Sequence, residues 1–171
     1  GVRLVGSEMC IRDRDKGVTH VHHFYTWRNL KAIFAILEEI RTSNFEHRIK
    51  QALLFVVTSF ADRNGTKRNR FVINKYNPRG RINGPMANTL YLPNLFCEVN
   101  IFELFREKLK DTINACAARI GRAPAIISTS SATGIPLADE SIDYIFTDPP
   151  FGHNIQYSEL NLSLEAILGV F

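Results

Sequence analysis

The run FTDPPFGHNIQYSEL, residues 146–160, decides how this chain is read. Apolar, β-prone residues lead into Asp148, two prolines follow, and Phe151 closes the turn. Proline cannot donate to a sheet ladder and keeps its predecessor out of helix. A strand predicted over Asp143–Thr147 therefore ends at a rigid, acidic corner. Such a strand end presents its polar residue at the carboxyl edge of an open α/β sheet, where ligands bind. Pro149 and Pro150 lock two φ angles and so fix the carbonyls of Asp148 and Pro149, while Phe151 offers a flat apolar face. This pairing suits a planar heterocycle carrying an exocyclic amine. The carboxylate and one carbonyl each accept an N–H, and the ring stacks on the phenyl.

Working outward, Ala125–Thr129 predicts a second strand, joined to the first through the turn-rich GIPLADES, residues 134–141. Ser158–Leu168 carries a helical pattern. The change of character near Gly121 divides the chain. Residues 121–171 form one part, and residues 18–120 form a mostly helical part with a basic loop.

The tetrapeptide DPPF resembles the D/N-P-P-aromatic motif of S-adenosylmethionine-dependent amino-methyltransferases, which methylate adenine or cytosine amines in DNA. The resemblance extends to SATGIPLADESIDYIFTDPPF, residues 131–151, similar to that family's strand, loop and motif strand in order. GHNIQYSELN (152–161) and LEAILG (164–169) resemble adenine-specific DNA methylases that carry a long helical insertion. Weaker likenesses lie in HFYTWRNL (23–30) and NTLYLPNLFCEVN (88–100). The resemblance implies an α/β, partial Rossmann-like methyltransferase fold with a helical insertion, S-adenosylmethionine as cofactor, and DNA as partner. A restriction or defence-system partner stays unspecified.

For the residues, it implies a catalytic corner of Asp148, Pro149, Pro150 and Phe151. Asp148 and the Pro149 carbonyl would accept both hydrogens of a flipped-out base's amine, making its nitrogen nucleophilic toward the sulfonium methyl. Asn154 and Tyr157 would line the base pocket, and as plain turn and packing residues they would be equally ordinary. Asp148 and Ser131 are the candidate cofactor contacts. Two departures stand out. Ser130-Ser131 replaces the family's acidic residue, and the ten glycines include no G-x-G, so no F-x-G-x-G cofactor loop exists. The expectation is a chain carrying the second part of a catalytic domain, with that loop upstream, inactive alone. Two rivals remain: an RNA methyltransferase acting on the guanine amine, whose motif TDPPFG also resembles, and a non-catalytic nucleic-acid-binding fragment. The YSEL that follows favours DNA.

In the first part, Thr26 reads as an N-cap for a helix with Leu30, Ile33, Phe34, Leu37 and Ile40 on one face. A second helix is expected from about Glu46 to Phe60, with Ile49, Leu53, Val56, Val57 and Phe60 inward. Asn88–Leu95 reads as an extended piece. Asn100 with Glu103 reads as a capping box opening a third helix, with Phe102, Phe105, Leu109, Ile113 and Cys116 as its stripe and Ile101 and Leu104 widening its first turn.

Seven basic residues and no acid lie between Arg63 and Arg81. This segment reads as a long loop, either solvated or meeting phosphates through Lys67, Arg68 and Arg70. Net charge is +4, with 45% hydrophobic and 22% charged residues, an ordinary globular composition. No apolar run approaches the roughly 20 residues of a membrane span. Three cysteines with no C-x-x-C spacing suggest reduced thiols in a cytoplasm, with Cys97 and Cys116 buried. His20, His22 and His23 lack distant partners, so no metal is expected. Trp27 reads as core. Glu159 suits the positive end of the last helix whatever the function. Residues 1–14, GVRLVGSEMCIRDR, resemble a translated sequencing adapter and read as a non-native leader, with the true N-terminus missing.

Overall fold

The computed structural model describes residues 18–86, 90–118, 126–131, 133–148 and 157–169. Their elements are α1 (Trp27–Thr42), α2 (His47–Ala61), β1 (Arg70–Asn74), β2 (Asn77–Asn83), α3 (Ile101–Ala117) and α4 (Tyr157–Leu168). A 3-10 turn at Val21–Phe24 precedes α1. The chain is thus a mixture of helices and one small antiparallel sheet.

Thr26 caps α1 as its hydroxyl predicts, accepting from the Asn29 N–H, and the same hydroxyl donates to the Glu98 carboxylate. One residue therefore starts the helix and ties it to the segment before α3. Leu30, Ile33, Leu37 and Ile40 are buried, one residue per turn at 3.6-residue spacing, and Phe34 lies off that stripe and is exposed. In α2 Val56, Val57, Phe60 and Ala61 are buried, Leu53 packs half-buried against the core as expected, and Ile49 is exposed. Burying each of the large side chains Ile33, Leu37 and Phe60 stabilises the fold by about 1.5–3 kcal/mol.

The third helix starts where expected but buries only part of the expected face. Asn100 accepts from the N–H groups of Phe102 and Glu103, while the Glu103 carboxylate pairs with Arg106 instead of closing the box. Ile101 and Leu104 are buried, Phe105 and Leu109 are half-buried, and Phe102, Ile113 and Cys116 are exposed. The reason is its neighbour. α3 packs mainly on α2, where Phe105 meets Phe60 edge-on at 6.4 Å, and that contact centres the buried stripe on 101, 104 and 105.

The basic segment is not one long loop. Its second half folds into the β1–β2 hairpin, with pairs Arg70↔Asn83, Phe71↔Ile82, Val72↔Arg81 and Asn74↔Asn77. Asn74 makes the turn, its Oδ1 accepting from the N–H groups of Tyr76 and Asn77. The strands predicted at 125–129 and 143–147 do not form among the described residues. A strand exists through its ladder, and among the described residues no partner strand lies alongside either segment. Ile126 and Ile127 are 96% and 94% exposed, and Tyr144, Ile145 and Phe146 are exposed in succession. The described residues therefore contain no Rossmann-like sheet. α4 forms as predicted and packs on α2 and the 3-10 turn, with Ser163 and Ile167 buried and the Leu168 carbonyl accepting from Arg41. No described helix is long and apolar enough to cross a membrane.

Candidate functional site

The corner that prompts the functional reading runs from an exposed apolar segment into α4. Asp148 is exposed, and α4 begins nine residues later at Tyr157. Pro149, Pro150, Phe151 and Asn154 lie outside the described residues, as does the side chain of Tyr157. Ser131 is at a turn of its own. Its Oγ is 2.8 Å from Thr133 Oγ1 and accepts from the Thr133 N–H, and its carbonyl accepts from the Gly134 N–H. Of the two candidate cofactor contacts, Asp148 is exposed and has no hydrogen bond among the described residues, whereas the Ser131 hydroxyl is engaged.

The three candidate phosphate contacts lie in different surroundings. The Lys67 N–H donates to the Phe24 carbonyl at 2.7 Å, and its side chain is half-buried. Arg70 is half-buried and donates from Nε to the Gly84 carbonyl. Arg68 is turned inward: its side chain is 5% exposed, and Nη1 lies 2.6 Å from Asp62 Oδ1, also donating to the Asp62 carbonyl. Its guanidinium is spent on the fold rather than presented to solvent.

Around that pair sits a buried polar cluster that no sequence pattern announces. Burial pushes the Asp62 carboxyl above the usual carboxylate range, and the adjacent Arg68 charge partly offsets the shift. The Ser163 hydroxyl of α4 lies beside Asp62 and favours its ionised form, though it falls short of a formal hydrogen bond. Tyr25 is buried against the same group, and burial drives its phenol well above the ordinary range. One layer further in, Asn69 is fully buried. Its amide donates to the Thr66 and Cys97 carbonyls, and its Oδ1 accepts from the Cys97 N–H, each at 2.8 Å. Asn29 donates to the Gly65 carbonyl beneath it. Residues 61–69 are therefore a bolted turn joining α1, α2, α4 and the segment before α3. The lone signal in sequence was a run of Asn, Gly and Thr between cations, which turn chemistry allows but does not compel.

The outward cations are on the hairpin. Lys75, Arg79 and Arg81 are exposed, and Tyr76 at the tip is 79% exposed with the Lys75 ammonium 4.8 Å from its ring centre. Trp27, expected in the core, is instead 69% exposed on the first turn of α1, with Lys31 over its ring. Cys97 is half-buried and Cys116 exposed, so neither is the buried thiol expected. The rings of His20, His22 and His23 pack on one another, and burial followed by the neighbouring imidazoles lowers the His22 pKa. Among the described residues no group of three or more His, Cys, Asp or Glu is arranged to hold a metal. A groove of about 630 Å³ between α1, α2 and α3 is walled by Ile36, Ile40, Phe45, Leu53 and Phe105, with Glu39 its single charge, and offers no set of reacting groups. No family model, curated protein or solved structure matches the chain.

Proposed function

We propose that this chain carries the catalytic corner of an S-adenosylmethionine-dependent DNA amino-methyltransferase, acting on the exocyclic amine of adenine or cytosine. The observation that carries the reading is the sequence of Asp148, Pro149, Pro150 and Phe151 between an apolar run and a helix. Two physical features support it. Tyr144, Ile145 and Phe146 are apolar in succession, the composition of a strand meant for burial on both faces of a parallel sheet. α4, which starts at Tyr157 beyond the corner, is anchored at its far end by Ile167 and by Arg41 on the Leu168 carbonyl.

In this reading the Asp148 carboxylate accepts an N–H from the target amine and holds its lone pair toward the attacking direction. The fixed Pro149 carbonyl takes the second N–H, and Phe151 stacks on the base. The cofactor, when bound, supplies an electrophilic methyl. The chain's own groups make only part of a cradle for it, since it contains no G-x-G and the Ser131 hydroxyl is committed to Thr133.

The test is single-turnover methylation of duplex DNA by the protein expressed from its whole reading frame. Asp148→Ala should lower the rate about a hundredfold or more, as removal of a preorganised hydrogen-bonding group does. Asp148→Asn should be milder, because its amide oxygen still accepts. Melting temperature should be unchanged in both, since the Asp148 side chain is exposed. A folded Asp148→Ala protein with a near-normal rate would end the assignment.

A further inference from the structure

We propose that the β1–β2 hairpin is a base-reading ribbon that enters the major groove of duplex DNA. The inference rests on DNA as the partner named above, but not on methyl transfer. Among the described residues the hairpin packs mainly on itself rather than on the helices, and the Phe71 N–H ties it to the Leu95 carbonyl in the segment before α3. A two-stranded ribbon, its strands about 5 Å apart, fits a major groove about 12 Å wide.

Its side chains are an unusual selection. Between Arg70 and Asn83 every polar residue except Lys75 and Tyr76 at the tip is Arg or Asn, and there is no acid. Those two residue types pair bidentately with purines in the major groove, arginine with guanine O6 and N7, asparagine with adenine N6 and N7. A ribbon that only tracked phosphates would be served as well by lysine, which acts as a point charge.

Register assigns the faces. Arg81 opposes Val72 and Asn83 opposes Arg70, which puts these four on one face, while Phe71 and Ile82 share the other. Between the pairs Val72↔Arg81 and Asn74↔Asn77, two steps of β1 oppose four of β2, so β2 bulges over Pro78–Gly80. Bulges bend a strand and re-aim its side chains. Gly80 makes this one, with φ +78° and the Phe71 ring filling the space a Cβ would need. Arg79 rides on the bulge beside Arg81, and both are exposed. Asn74 and Asn77 are bonded to each other in the turn and Arg70 donates to the Gly84 carbonyl, which leaves Arg79, Arg81 and Asn83 as the candidate readers. The deep, narrow major groove of A-form RNA would not admit such a ribbon, so duplex DNA is the partner that fits.

The experiment selects duplexes from a randomised pool with the full-length protein and with the double variant Arg79→Lys/Arg81→Lys. That change keeps both charges on exposed positions but removes the planar forks. The wild type should enrich sites with fixed purines, and each lost bidentate pair should cost about tenfold in preference over a scrambled duplex. The lysine variant should keep its affinity for scrambled duplex, its salt dependence and its melting temperature. Undiminished preference in the lysine variant would overturn the proposal. So would a wild type that prefers no sequence, or one that binds an RNA duplex of the same sequence more tightly. Because the assay reads binding alone, selective binding by a methylation-dead protein would refute the enzyme and leave the ribbon standing, and the opposite result would do the reverse.

Discussion

Replacing Arg68 with alanine asks whether this cation holds the fold or holds DNA. The Arg68 and Asp62 side chains are 5% and 17% exposed, with 2.6 Å between Nη1 and Oδ1. Removing the guanidinium leaves a carboxylate beneath α4 with burial and no counter-charge. Breaking a buried pair from one side costs about 3–5 kcal/mol, against 0–1 for an exposed pair. For a chain of this length each kcal/mol lowers Tm by about 2–4 °C, so the variant should melt roughly 6–20 °C below wild type. The pH dependence has a definite sign. Arg68 is the largest influence lowering the Asp62 pKa, so without it the folded-state value rises further above the unfolded one. The folded variant then holds a proton that the unfolded chain releases. Its deficit is full above the raised pKa and shrinks as pH falls through it. Wild type should show the same trend more weakly. Circular dichroism melts from neutral pH down to the ordinary carboxylate range read this directly, and duplex DNA titrations against salt run beside them. A melt within about 2 °C of wild type, with a salt slope smaller by about one unit, would show that Arg68 meets a phosphate and refute the buried-pair reasoning.

Gly80→Ala would place a Cβ about 2.2 Å from Phe71 Cζ at a φ of +78°. It should open the hairpin while leaving the helical signal intact, read as faster amide exchange confined to residues 70–83; unchanged protection there would refute the packing described. Asn69→Ala would strip partners from the Thr66 carbonyl and from both backbone groups of Cys97. A cost of about 1–3 kcal/mol is expected for buried groups left unsatisfied, and a denaturant midpoint indistinguishable from wild type would show that Asn69 does not bolt the turn.

The helices were legible because their signals are local. Thr26 and Asn100 can cap only by bonding the N–H groups just after them, and both do. The stripe of α1 follows from 3.6-residue spacing along one segment. The acidic proline corner was equally plain, since it depends on two φ angles fixed by covalent structure.

What sequence did not decide were matters of partnership. How much of the α3 stripe is buried depended on where Phe60 met it, so 101, 104 and 105 went inward as patterned while 102 and 113 stayed outward. Residues 125–129 and 143–147 have strand composition, yet a strand needs a neighbour to bond, and the described residues supply none. Seven like charges over residues 63–81, with no acid among them, looked uniform, but tertiary structure split them. Asp62, itself covered by Ser163 of α4, drew Arg68 inside, while Arg79 and Arg81 lie exposed on the hairpin. Charge is a property of the residue; whether it faces carboxylate or solvent is decided by what the fold brings beside it.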